Sequence, residues 1–173
     1  MKRYAGIIKN DVVNGNGVCV SFFVQGCPLH CPDCHNEEDW DFSGGNELPE
    51  NYLEIIKEAI EANGVHRNFS LLGGEPLCDE NLNLSLEVVK YVRDTFKDSI
   101  EICVWSGYSY ESLIERNDVR VNKIFDLADV LVDGPFKIDC RNVSLKMRGS
   151  ENQRLIDLKR SSKDNIVEKI YVL

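Results

Sequence analysis

The sequence predicts an α/β fold, a single-domain incomplete, open (βα) barrel of about five mainly parallel strands with its site at the C-terminal strand ends. Strand-like and helix-like segments alternate along the chain, with no internal repeat and no interdomain linker. At 173 residues the chain suits one domain but is too short to close a wide barrel. Four segments of unusual composition each follow a strand-like run directly.

Val18 to Val24 is β-branched and aromatic, as a strand requires. Leu53, Ile56 and Ile60 recur at helical spacing with Tyr52, Ile55 and Ala59 beside them; Pro49 suits the first turn and Asn63-Gly64 a left-handed C-cap. Phe69 to Leu72 reads as a short strand ending in Gly73-Gly74, and Leu82, Leu86, Val89 and Phe96 carry a second amphipathic helix. Ile100 to Trp105 alternates as a third strand, and Tyr110 to Leu127 reads as helix interrupted near Asn117-Asp118. Asp129 to Asp133 is the fourth strand and Ile166 to Leu173 the last. Between Phe136 and Asp164 no period stands out.

The composition, 43% hydrophobic and 28% charged, is that of a soluble globular protein. The start lacks the apolar stretch of a signal peptide, and no run reaches membrane-spanning length, so a cytoplasmic protein without membrane contact is expected. The seven cysteines are then ligands, catalytic groups or buried thiols rather than disulfides. A net charge of −9 argues against nucleic-acid binding. That charge is uneven: Asn36 to Ala62 holds nine acidic residues against Lys57. Pro135 to Lys163 holds eight basic residues against Asp139, Glu151 and Asp157. The basic segment is either a solvated face or a docking surface for an acidic partner.

Cys27, Cys31 and Cys34, spaced Cys-x3-Cys-x2-Cys on a loop spanning 26–40, carry the chemistry. Three thiolates on one loop can hold three irons of a cubane cluster and leave the fourth iron open, and an open metal position is where reactions occur. A structural zinc completed by His30 or His35 is the competing reading; each histidine adjoins a cysteine, which makes closing one metal sphere awkward. Gly73-Gly74-Glu75-Pro76 is either a strand-ending turn or bare backbone pressed against a ligand, with Glu75 as acceptor for an ammonium group. The cysteine loop, this turn, Ser106-Gly107-Tyr108 and Gly134-Pro135-Phe136 all fall past strand C-termini, the edge where parallel α/β folds assemble sites. Cys19 and Cys103 read as buried apolar residues, Cys78 lies near the turn without a partner in sequence, and Cys140 stands alone. Trp105 and Tyr108 suit a pocket wall as well as a core.

Cys-x3-Cys-x2-Cys followed by Gly-Gly-Glu-Pro resembles the radical S-adenosylmethionine (AdoMet) superfamily. Five further segments resemble the activating proteins of anaerobic (class III) ribonucleotide reductases: Phe23 to Cys27, Cys34-His35-Asn36 with Trp40, Val104 to Tyr108, Val130 to Phe136 and Arg148 to Arg154. The resemblance implies a [4Fe-4S] cluster on Cys27, Cys31 and Cys34, and S-adenosyl-L-methionine held at its amine by Gly73, Gly74 and Glu75. It implies the backbone of Asp33-Cys34-His35 near the adenine, and Ser106 and Asp133 lining the same pocket. It implies no side-chain acid or base, a glycyl radical generated on the anaerobic ribonucleoside-triphosphate reductase, and a flavodoxin-like electron donor. The Arg148 to Arg154 stretch would close the site or meet the reductase. The chain departs from the pattern at Asp33, where many members carry an aromatic residue, and at Asn14-Gly15-Asn16-Gly17, where relatives tend to read Asn-Gly-Pro-Gly. Pro135 stands where some activating enzymes have a lysine. Two other functions stay open: another radical AdoMet enzyme, whether an activase or a small-molecule catalyst, and a zinc-stabilised interaction module.

Overall fold

Hydrophobic alternation sets the centre of the molecule, which the computed structural model describes over residues 1–172. The strands are β1 (Arg3–Asp11), β2 (Cys19–Val24), β3 (Asn46–Glu47), β4 (Asn68–Gly73), β5 (Ile102–Trp105), β6 (Val130–Asp133) and β7 (Arg154–Asp157). The helices are α1 (Tyr52–Glu61), α2 (Asp79–Phe96), α3 (Tyr110–Glu115) and α4 (Val119–Leu127). One sheet takes the order β3-β1-β2-β4-β5-β6-β7. Its four central strands run parallel, joined through α1, α2 and the α3–α4 pair, as the strand–helix alternation predicts.

The two faces of the sheet are built differently. Val20, Phe22, Phe69, Leu71, Ile102 and Val104 are fully buried with Ile56 and Ile60 of α1, Leu82 and Val89 of α2, and Leu113, Val121 and Ile124 of α3 and α4. Each such side chain contributes about 1.5–3 kcal/mol relative to exposure. Alternation turns the intervening residues, Ser21, Ser70 and Cys103, to the opposite face, where side chains are small and a second cluster gathers Cys103, Val130, Val132, Met147 and Leu155. The predicted helix break is present: Asn117 takes a left-handed φ of 49°, and Asp118 caps α4 by accepting from the Arg120 N–H at 2.8 Å. Asn63 and Gly64 are left-handed after α1, but Pro49 lies before the N-cap Asn51 rather than in the first turn.

The sheet has seven strands instead of five, and its edges are antiparallel. β1 escapes sequence reading because Arg3 to Asp11 is only half-buried and its alternation is weak; backbone pairing to β2 makes it a strand. The final strand predicted over Ile166 to Leu173 is not formed within the described residues, which here make a single bridge, Glu168 to Ile156. Arg154–Asp157 occupies that edge of β6 instead, and Ile170 and Val172 are left exposed; Leu173 lies outside the described residues. No helix is long and apolar enough to cross a membrane among the described residues.

Candidate active site

The C-terminal ends of β2, β4, β5 and β6 open into one cleft of about 780 Å³, within the size range of small-molecule sites. Cys27, Cys31, Cys34 and His35 line it from the cysteine loop, Gly73, Gly74 and Glu75 from the turn after β4, and Ser106 and Gly107 from the end of β5. The convergence read from the sequence is thus present in space.

The cysteine loop is seated by backbone. Gly26 N–H donates to the Asp39 carbonyl at 2.7 Å and Cys27 N–H to that of Trp40 at 3.1 Å, closing the loop on itself. Glu75 N–H and the Asn81 side-chain amide both donate to the Gly26 carbonyl, at 2.9 and 3.0 Å. A Cβ on Gly74 would lie 2.2 Å from the Gly26 oxygen, so glycine is required there for the turn and the loop to touch. Left-handed backbone at His30 (φ 48°) and Asp33 (φ 57°) bends the chain between the cysteines. Part of the predicted ligand role of the glycine pair is therefore structural: it holds the loop while also lining the cleft.

All seven cysteines are free thiols. The main-chain N–H of Asn36 donates to the Cys34 sulfur at 3.4 Å. Such hydrogen bonds stabilise and tune the sulfurs of an iron–sulfur cluster. Burial pushes the Cys27 and Cys31 thiols up, so a metal has to drive their ionisation. Among the described residues no three His, Cys, Asp or Glu side chains are arranged to hold a single metal ion. The three sulfurs line one cleft and supply the thiolate donor set that a [4Fe-4S] cluster takes from three cysteines. His30 instead stacks on Trp40, ring centroids 4.5 Å apart, while His35 packs against Phe136 at 5.0 Å.

Glu75 is 1% exposed, yet its carboxylate is well supplied: Oε1 accepts from Leu77 N–H at 2.9 Å and Ser106 Oγ at 2.8 Å, and Oε2 from Gly107 N–H at 2.7 Å. Burial nevertheless outweighs these donors and pushes its pKa up to about 6. Ser106 thus serves the site through Glu75. Oε2 keeps capacity for a further donor entering from the cleft.

Two predicted site residues are not on the cleft wall. Asp33 sits exposed at the loop's bend. Asp133 is 1% exposed and is spent internally: Oδ2 accepts from Tyr110 N–H at 2.7 Å and from Arg154 Nη2 at 2.5 Å, and Oδ1 from Arg154 Nε at 3.0 Å. Arg154 also donates to both Glu111 oxygens. The basic segment is accordingly divided, because Arg154 ties β7 to β6 and Lys159 donates to the Asp126 carbonyl. Arg141, Lys146 and Arg148 line the cleft instead.

Sequence reading missed most of two lips of the cleft; of their residues only Arg148 and Gly149 belong to a stretch expected to close the site. Val12 to Gly15 forms one, anchored where Ser70 Oγ donates to the Asn14 carbonyl at 2.6 Å. Arg141 to Gly149 forms the other, a strap whose Lys146 reaches Asn16 at 3.2 Å. The exposed pair Val12-Val13 beside a glycine-rich turn was the available signal for the first; the strap has no periodicity to read.

The family model of the 4Fe-4S single cluster domain matches residues 13–156. The chain is 34% identical over 152 residues to a protein of Pasteurella multocida named anaerobic ribonucleoside-triphosphate reductase-activating protein, covering 87% of this chain and 94% of that one. It is likewise 34% identical to the protein of that name from Escherichia coli K12, over 83% of this chain and 90% of that one. A pyruvate formate-lyase-activating enzyme of Clostridium pasteurianum is 27% identical over 78% of this chain and 56% of that enzyme.

Proposed function

The chain belongs to the 4Fe-4S single cluster domain family and to the anaerobic ribonucleoside-triphosphate reductase-activating proteins, and from that membership we propose that it generates a glycyl radical on such a reductase. The observation that carries the proposal is the shared cleft of Cys27, Cys31 and Cys34 with Gly73, Gly74 and Glu75. Cys27, Cys31 and Cys34 would hold a [4Fe-4S] cluster, which when bound would supply the electron for reductive cleavage of AdoMet, the chemistry that makes a radical able to take the α-hydrogen of a glycine.

The chain's residues bind and orient. Glu75 accepts the AdoMet amine at Oε2, and Ser106, Gly107 and Leu77 hold its carboxylate in place. Gly73 and Gly74 present backbone alone to the ligand beside the cluster loop. His35 and the backbone of Cys34 take the adenine side, with Phe136 behind the histidine ring. We leave Asp33 and Asp133 outside the contact set, the first turned out at the loop bend and the second locked to Arg154. No side chain has to act as acid or base, because the proton leaves glycine together with its electron. We read the open sheet as an incomplete (βα) barrel, whose unclosed side leaves the cleft accessible to a protein loop. Val12, Val13 and Val143, all more than two-thirds exposed, give that mouth an apolar lip suited to such a loop. A flavodoxin-like protein is the proposed electron donor.

Anaerobic reconstitution with iron and sulfide, followed by AdoMet, a reductant and the reductase, tests the proposal by electron paramagnetic resonance. A glycyl radical doublet on the reductase is expected. A colourless zinc-loaded protein, or a doublet only on a different glycyl-radical enzyme, overturns it.

A further inference from the structure

Arg148 stands in the strap with a feature its neighbours lack. Its half-buried side chain lines the cleft, its Nε is sealed from solvent, and no described residue accepts a hydrogen bond from that N–H. It takes part in none of the ion pairs or cation–π contacts among the described residues. The other cations of the cleft differ: Lys146 is engaged by Asn16 and the Tyr171 ring, and Arg141 is exposed to water. The guanidinium, on a half-buried side chain of the cleft wall, makes no hydrogen bond or ion pair among the described residues and so can meet an anion that enters the cleft.

The backbone around Arg148 is fixed. Met147 is buried in the left-handed region (φ 64°), and its carbonyl accepts from Trp105 Nε1 at 3.0 Å. On the other side Gly149 and Ser150 donate their N–H groups to Gln153 Oε1 at 2.9 and 3.2 Å. A non-glycine residue in this conformation costs energy and persists only where the surroundings enforce it. The guanidinium is therefore carried by a pinned stretch of chain.

Glu75 is the one carboxylate lining the cleft among the described residues. A cleft with one anchored carboxylate and one unpartnered guanidinium complements a zwitterion. We propose that Arg148 binds the carboxylate of the α-amino-acid end of the ligand whose amine meets Glu75. This rests on the reading of that ligand as AdoMet. Arg148 is then a binding residue that fixes the orientation of the methionine moiety.

The test uses the anaerobically reconstituted full chain and equilibrium dialysis against AdoMet and decarboxylated AdoMet, which lacks only the carboxylate. Arg148→Met is expected to weaken AdoMet binding about ten- to a hundredfold while leaving affinity for the decarboxylated analogue unchanged or improved. Arg148→Lys should recover part of the loss, since an ammonium supplies charge without the planar fork. Should Arg148→Met fail to hold iron, the Lys variant and Arg148→Gln carry the same comparison. Unchanged AdoMet affinity, or an equal loss for both ligands, overturns the assignment of Arg148. Wild-type protein that holds its cluster but binds neither compound overturns the AdoMet reading itself.

Discussion

The cleft has two walls of opposite construction. The cysteine loop and the Gly73-Gly74-Glu75 turn are joined by main-chain hydrogen bonds and by a backbone contact that excludes even a methyl group. The strap from Arg141 to Gly149 closes on itself through main chain, with Asn142 N–H donating to the Gly149 carbonyl at 3.1 Å, but side chains tie it to the rest of the cleft: Gln153 at its end, Trp105 at the Met147 carbonyl and Lys146 at its outer edge. The difference teaches which parts of such a site can drift. Backbone contacts at close range tolerate almost no substitution, whereas side-chain contacts can be replaced one at a time. The proposed cluster ligands sit on the first wall and the proposed carboxylate contact on the second.

The sharpest way to break this comparison is to place a side chain on a glycine of each wall. Gly74→Val drives its Cβ into the Gly26 carbonyl and should cost about 3 kcal/mol, the upper end of overpacking effects. Gly149→Ala meets the edge of the Phe136 ring at 3.1 Å and His35 Nε2 at 3.6 Å, side chains rather than backbone, and should cost under about 1 kcal/mol. Urea unfolding of the two variants, with iron content after reconstitution, checks the pair. Equal losses would show that the walls are equally rigid.

A smaller effect tests the charge held by the rigid wall. Glu75 has its pKa raised from 4.5 to about 6, so the folded state binds its proton more tightly than the unfolded state does. The contribution to stability is fully present below pH 4.5 and declines as pH rises through 6, by up to about 2 kcal/mol. The stability of wild type minus that of Glu75→Gln should fall by that amount between pH 4.5 and 7. The subtraction removes the parallel titration of Asp39, which burial and the neighbouring Glu38 also push up to about 6. AdoMet affinity should move the other way, strengthening as Glu75 ionises.

A further small effect sharpens the strap. Gln153→Ala removes the acceptor for Gly149 and Ser150 and the donor to the Gly134 carbonyl, for about 1 kcal/mol of stability. Amide exchange should accelerate from Arg141 to Ser150 and stay unchanged at Gly26 and Glu75. Faster exchange on both walls would mean that they open as one unit.

Much of the site was legible because its parts are local in sequence. Cys27, Cys31 and Cys34 share one loop, and Gly73-Gly74-Glu75 ends a strand, so spacing and strand order suffice to bring them to one edge. Asp133 lies at the same edge yet turns away, because Tyr110 N–H and Arg154 supply its partners from other elements. Arg154 looks like free surface charge in the sequence for the same reason. Ile166 to Val172 has strand composition, but Arg154–Asp157 takes the edge of β6. Pairing partners distant along the chain leave no mark on local pattern.

The sequence by itself determined the α/β order, the cysteine loop and the glycine turn, since periodicity, strand ends and ligand spacing are local properties. Tertiary structure alone decided the antiparallel edges, the lips of the cleft and the burial of Arg148 Nε. Each of these depends on which distant segment arrives to pair, cover or leave a group unmet, and that is settled only when the whole chain packs.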